Sequence, residues 1–221
     1  MMISMSGIDS AGKSTQIDLL KESLSEKKIK TCVKWSKARA TPVVVFLKKV
    51  FRKDKKMNYQ EKLEHRKEVY NNSKKKKLLL FASLVDLCFY WGVYFRFLKL
   101  KYRALILDRY IWDTYVELTA DFKGVTFEKW LSWKLLKKVA PKPDVSFLLV
   151  VPVEVSLSRD IQKTDLTVDA PALIDSNERK IEKSNTYFSL AEQNKWDWVI
   201  NGTHEIREVH AEIMEKLPAK L

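Results

Sequence analysis

The chain has 221 residues, 46% of them hydrophobic, and a formal net charge of +13. That length and apolar fraction suit one well-cored α/β domain, expected to run over 1–221. Two cysteines, Cys32 and Cys88, and three scattered histidines, His65, His204 and His210, give no cluster with metal-ligand spacing, exclude a histidine-based mechanism and favour a reducing, cytoplasmic setting.

The sequence opens directly in a strand pattern, so no secretory leader is expected. Met2 to Met5 reads as the first strand, ending at Ser6, and runs into Gly7 to Thr15, GIDSAGKST, which fits G-x-x-x-x-G-K-S/T. The residues Gly7, Ser10, Ala11, Gly12, Lys13, Ser14 and Thr15 are the candidate donor-nucleotide site. Glycines let successive backbone N–H groups curl around phosphate oxygens, Lys13 reaches the β- and γ-phosphates, and Ser14 ligates Mg²⁺ at a helix N-terminus. Two of the chain's five glycines fall in this stretch. ATP and Mg²⁺ are therefore the expected cofactors.

A helix is expected from about Ser14, with Ile17, Leu19, Leu20 and Leu24 on its apolar face, then a strand around Ile29 to Trp35. Thr41-Pro42 opens another helix, and helical patterns fill most of Gln60 to Leu100. Within them Leu78 to Leu98 is 21 residues long and mostly apolar. On an insertion scale its Leu, Phe and Val contribute about −6 kcal/mol against about +6 kcal/mol from Asp86 and Arg96. A span there would put Lys13 and Asp108 on opposite sides of a bilayer. The segment is therefore read as a helix buried on most faces, with a homodimer partner as one candidate cover, and membrane contact is not expected.

Ala104 to Leu107 forms a buried strand closed by Asp108, followed by Arg109 and Tyr110. An aspartate at such a strand end holds Mg²⁺, usually through water, and the adjacent arginine can grip a transferring or acceptor phosphate. Asp144 to Val151 and Trp198 to Ile200 complete the strands, the latter running into Asn201-Gly202. Apolar strands alternating with helices predict a parallel sheet with right-handed crossovers and ligands at its carboxyl edge. The basic runs Lys48 to Lys56, Lys74 to Lys77 and Lys134 to Lys138 read chiefly as solvated helix faces, and with weak aromatic interleaving nucleic acid is not an expected partner.

GIDSAGKSTQ, DRY after a buried strand, PKPDVSFLLVVPVEVSLSR and the closing WVINGTHEIREVHAEI together resemble the thymidylate kinases, in the right order over almost the whole chain. The resemblance implies a three-layer α/β P-loop kinase fold: a five-stranded parallel sheet flanked by helices, an acceptor-binding region over approximately 36–100 and a short lid over approximately 160–176. It implies transfer of the γ-phosphate of MgATP to a nucleoside monophosphate, dTMP by family default. It places Asp9 facing the acceptor, has Asp108 and Arg109 link metal and phosphates, and has Arg159 and Lys163 close over the phosphates. It sets Asn201 and Gly202 where the family cradles adenine.

The same resemblance exposes departures. The family's base-stacking arginine after an aspartate in the long helix falls at Leu87, after Asp86, and its tyrosine and glutamine after DRY fall at Glu117 and Leu118. Its arginine-rich turn after the second strand is replaced by Ser36-Lys37-Ala38-Arg39, and the usual lid motif is missing from Asp165 to Asp175. Lys37, Arg39, Asp86 and Arg96 stand as acceptor-binding candidates beside Asp9 and Arg109. Two alternatives follow: a kinase of the same fold acting on another small acceptor, such as a modified nucleotide, nucleoside or sugar, or a nucleotide-gated protein that binds nucleic acid or an anionic membrane.

Overall fold

A computed structural model describes residues 1–36, 73–165 and 177–218. In chain order the elements are β1 (Met2–Ser6), α1 (Lys13–Glu26), β2 (Thr31–Trp35), α2 (Ser73–Phe89), a π-helical turn (Tyr90–Phe95), α3 (Arg96–Lys101), β3 (Ala104–Asp108) and α4 (Ile111–Asp121). A short 3₁₀ turn (Phe127–Lys129), α5 (Leu131–Val139), β4 (Val145–Val150), α6 (Val153–Asp165), α7 (Asn177–Glu192), β5 (Trp198–Asn201) and α8 (Ile206–Glu215) follow. The expected helix at Thr41-Pro42 and the basic run at Lys48 to Lys56 lie outside the described residues, as do Lys37, Arg39, the lid stretch 166–176 and the side chain of Lys163.

The chain divides into two compact units, the first comprising 1–36, 98–120 and 142–221, the second 37–97 and 121–141. The first holds a five-stranded, all-parallel sheet in the order β2-β3-β1-β4-β5. Parallel neighbours cannot be joined by a tight hairpin, so each connection runs through helix. The central β1 is buried along its whole length, which is why it reads MISMS rather than as an alternating pattern. On α1, Ile17, Leu20 and Leu24 recur at helical spacing and enter the core with Phe147, Leu148 and Ile200, each burial worth about 2 kcal/mol. At β5, an edge strand, Trp198 and Val199 stay exposed.

Register fixes the working edge of the sheet. Met5 pairs with Asp108, and Ser6 with Leu148, so β1, β3 and β4 end side by side with Ser6, Gly7 and Asp108 at their carboxyl ends. Because β1 lies between β3 and β4, the chain diverges to opposite sides at this point, which opens a crevice where ligands of such sheets bind.

In the second unit, α2 and the π turn bury Leu80, Leu84, Leu87, Trp91 and Phe95, and they pack against α5. Phe127 meets Trp133 edge to face at 5.3 Å. The other face of the long helix carries Leu78, Phe81, Phe89, Val93 and Phe97, all exposed. Fewer than half of the residues in its most apolar stretch are buried, against the expectation of burial on most faces. An apolar run that surrounds a helix carries no periodicity to say which stripe meets the core.

Candidate functional site

β1 ends at Ser6, and the loop from Gly7 turns into α1 at Lys13. Gly12, the residue that caps α1, has φ 95°, a left-handed conformation that a side chain would resist. Among the described residues no side chain caps the first turn of α1, and no acidic residue lies in it. Its amides therefore point outward as an anion site, with Ser14 and Thr15 exposed beside them.

Lys13 is buried and donates from Nζ to the carbonyls of Gly7, at 2.9 Å, and Ile8, at 2.6 Å. Burial lowers its pKa to about 7, and the positive charge of Arg109 adds to the fall against the pull of Asp9, Asp113 and Asp108. A neutral amine keeps two N–H groups, so both carbonyl bonds survive loss of the proton. The Ser10 hydroxyl bonds Asp160, which also pairs with Lys180, and Ser156 Oγ donates to the Asp9 carbonyl at 2.6 Å. The loop is thus tied to α6 and, through Asp160, to α7.

Asp108 and Arg109 stand across the crevice edge from this loop. Arg109 has φ 73°, a left-handed value that costs a non-glycine residue about 1–2 kcal/mol, and its N–H is held by the Met5 carbonyl at 2.9 Å. Its guanidinium is buried and donates to Gly7 O at 3.1 Å and Tyr187 Oη at 3.4 Å. It also pairs with Asp9 and lies 3.7 Å from Asp113 Oδ1. Gly7 O thus receives hydrogen bonds from both Lys13 and Arg109, bringing two cations to one carbonyl.

Asp108 differs from its neighbours in having a buried Oδ1 with no hydrogen-bond partner among the described residues. Burial pushes its carboxyl pKa up, with Lys13 and Arg109 pulling the other way. Both features fit a carboxylate whose missing partner is a cation or its water shell. Among the described residues no group of three or more His, Cys, Asp and Glu forms a metal cage. Mg²⁺ in nucleotide sites needs none, since it keeps several waters and takes one or two protein ligands with substrate phosphates. Ser14 and Asp108 fit that donor set.

A cleft of about 280 Å³ opens on the α1 side of the loop, lined by Ser10, Gly12, Gln16, Arg159, Gly202 and His204 among others. Arg159 spans it, donating to Ser10 O at 3.4 Å and Gly202 O at 3.0 Å. Gly202 is required by close approach: a Cβ there would lie 2.8 Å from Val151 Cγ1 and 2.9 Å from the Ala11 carbonyl. Asn201 does not line this cleft. Its Oδ1 accepts from Thr203 N at 3.0 Å and Thr203 Oγ1 at 2.8 Å, so it builds the turn that presents Gly202 and His204.

The three departure positions each have a structural occupation. Leu87 and Leu118 are fully buried apolar residues, and Glu117 is a buried carboxylate paired with Lys183 at 3.1 Å and Arg179 at 3.5 Å. Asp86 and Arg96 belong to the second unit, where Arg96 turns back onto the Gly92 carbonyl. The site also contains residues the sequence did not single out: Asp113 and, on α7, Arg179, Lys180, Lys183 and Tyr187. Asp113 had a visible but misleading signal. As the third residue of α4 it accepts the N–H of the capping Tyr110 at 2.8 Å, the ordinary task of an acid at a helix start.

The family model described as thymidylate kinase matches residues 5–213. No curated protein matches the chain. Among solved structures, a deoxyadenosine kinase from M. mycoides, with the products dCMP and a flexible dCDP bound, superposes with a TM-score of 0.59 over 98% of either chain. At 16% identity that likeness is one of fold.

Proposed function

The chain belongs to the thymidylate kinase family and is a phosphotransferase, and from that premise we propose that it moves the γ-phosphoryl group of MgATP to a nucleoside monophosphate, with dTMP the first acceptor to test. The observation that carries this reading is the meeting of Lys13 and Arg109 on the Gly7 carbonyl, beside the uncapped amides of α1. Burial and the repulsion of Arg109 weaken the charged form of Lys13, and a polyphosphate between the two side chains would favour it and bind both. Phosphoryl transfer asks of a protein mainly such positioning and charge neutralisation.

In this reading the loop amides and Lys13 hold the β- and γ-phosphates, and the cleft between Arg159, Gly202 and His204 receives the donor nucleoside. Arg159 is a carrier of donor contacts, with Lys163 assigned by the family pattern alone. Ser14 and Asp108 would hold Mg²⁺, which when bound screens the phosphate charges and draws negative charge from the transferring group. Asp9 and Arg109 orient the acceptor phosphate, whose oxygen attacks the γ-phosphorus as the bond to the β-phosphate oxygen breaks and ADP leaves.

A second acceptor class is favoured by the fate of the departure positions. With Leu87 and Leu118 buried and Glu117 held by Lys183 and Arg179, these three side chains are engaged by protein. A modified nucleotide, nucleoside or sugar would then replace dTMP with the donor half of the site unchanged. ADP release from MgATP, measured across nucleoside monophosphates, nucleosides and a sugar panel with Lys13→Ala as control, separates the readings. Turnover with dTMP supports the first, turnover only with another acceptor supports the second, and no acceptor-dependent ADP release removes the kinase reading.

A further inference from the structure

Arg109 is useful only if its guanidinium faces the phosphates in one orientation, yet its backbone sits in a left-handed conformation that does not by itself set the side chain. The orientation is set from behind. Asp113, 1% exposed, accepts from the Ser6 hydroxyl at 2.6 Å, the Gly7 amide at 3.3 Å, the Tyr110 amide at 2.8 Å and the Tyr187 hydroxyl at 2.6 Å. One carboxylate thereby joins the end of β1, the first residue of the phosphate loop, the start of α4 and α7. The same Oδ1 that accepts the Tyr187 hydrogen bond lies 3.7 Å from Arg109 Nη1.

Tyr187 completes a relay of orientation. Its O–H donates to Asp113 while its oxygen accepts from Arg109 Nη1, so the phenol bridges carboxylate and guanidinium. It is 4% exposed, and burial and the Asp113 charge keep it a neutral donor. α7 is itself anchored one and two turns earlier, by Lys183 on Glu117 and by Lys180 on Asp160, whose carboxylate also holds Ser10 of the loop. The residues Lys180, Lys183 and Tyr187 recur on one face of α7, each fixed to a different carboxylate: Asp160 on α6, and Glu117 and Asp113 on α4.

We propose that Asp113 and Tyr187 are positioning residues for Arg109, holding its guanidinium against the Gly7 carbonyl and so making the seating of α7 a condition for phosphoryl transfer. The inference rests on the kinase reading for the meaning of Arg109, and it makes a separate prediction about how that side chain is held. Neither Asp113 nor Tyr187 touches substrate in this scheme.

The test is Tyr187→Phe, placed in the otherwise unchanged chain and in an Arg109→Lys background. In the unchanged chain kcat should fall about tenfold, the scale of one buried hydrogen bond expressed in the transition state, with KM for ATP nearly constant. In the Arg109→Lys background, where no guanidinium remains to be oriented, the further loss should be less than about twofold. The fall in Tm should be the same in both, because packing is altered equally. Equal fold losses of kcat in the two backgrounds, or an unchanged kcat in the first, overturn the proposal. A second readout needs no turnover: the Arg109 guanidinium resonances, assigned by their loss in Arg109→Lys, should show slow rotation in the wild type and fast rotation in Tyr187→Phe. If no acceptor is turned over, the kinase reading falls and the resonances decide the positioning claim, with unchanged rotation overturning it. Asp113→Asn supplies an independent variant if Tyr187→Phe folds poorly, and it should release the same rotation.

Discussion

Phosphate binding should draw a proton onto Lys13. Without an anion, burial and Arg109 hold its pKa at about 7 rather than the ordinary 10.5. A polyphosphate beside Nζ favours the charged form and returns the pKa toward its ordinary range. At pH 8 the free amine is then about one-tenth protonated and the bound one almost fully so, an uptake of about 0.9 proton. At pH 6 the amine is charged in both states and the uptake falls to about 0.1 proton. Calorimetric titration of MgATP in two buffers of different protonation enthalpy gives the number directly, and the same titration of Lys13→Met measures the protons taken up elsewhere, to be subtracted. The stability profile carries the same sign. Between pH 7 and 10.5 the unfolded chain binds one more proton at this residue than the folded chain, so Lys13 makes stability rise with pH across that window by about 1 kcal/mol per unit; below it both states are protonated, the cost of the buried charge is constant and the slope vanishes. Saturating MgATP should remove this slope. A wild-type uptake at pH 8 that matches Lys13→Met would refute the reasoning, as would a larger uptake at pH 6.

Two further contrasts separate the parts of the site. Gly202→Ala forces a Cβ against Val151 and the Ala11 carbonyl, overpacking worth about 1–3 kcal/mol, and should raise KM for ATP at least tenfold while sparing acceptor KM; an unchanged ATP KM would count against the cleft as the donor site. Asp108→Ala and Arg109→Ala should both reduce turnover by at least about a hundredfold, but only the second should destabilise the fold strongly. Removing Asp108 deletes a buried oxygen that has no hydrogen-bond partner among the described residues, whereas removing Arg109 takes the buried positive charge from beside the buried Asp113 carboxylate, a loss of about 3–5 kcal/mol in denaturant unfolding. Equal stability losses would contradict the assignment of their partners.

The parts of the site readable in sequence are those whose geometry is local. A phosphate loop is one contiguous stretch between a strand and a helix, so GIDSAGKST specifies Gly12, Lys13 and Ser14 without knowledge of the rest. Asp108 and Arg109 follow from a buried strand that can only end at the sheet edge. The five short strands are likewise local, and their parallel order follows from the helices between them. What was not legible depends on return of the chain from far away. Tyr187 reaches Asp113 across 74 residues, and nothing near either one marks the pair. Glu117 stands out as a departure from the family pattern, and its meaning comes from Lys183 and Arg179, far along the chain on α7. The exposed row from Phe81 to Phe97 was hidden for a different reason: apolar residues on every side of the helix erase the amphipathic signal.

Transfer of labelled γ-phosphate from MgATP is the direct test of the phosphotransferase and its acceptor. With dTMP present, label should appear in dTDP at a rate that depends on both substrates and vanishes in Lys13→Ala. Label released only as inorganic phosphate, or carried to no member of the acceptor panel, would contradict phosphoryl transfer by this site, and label in another acceptor with none in dTDP would contradict dTMP as its substrate.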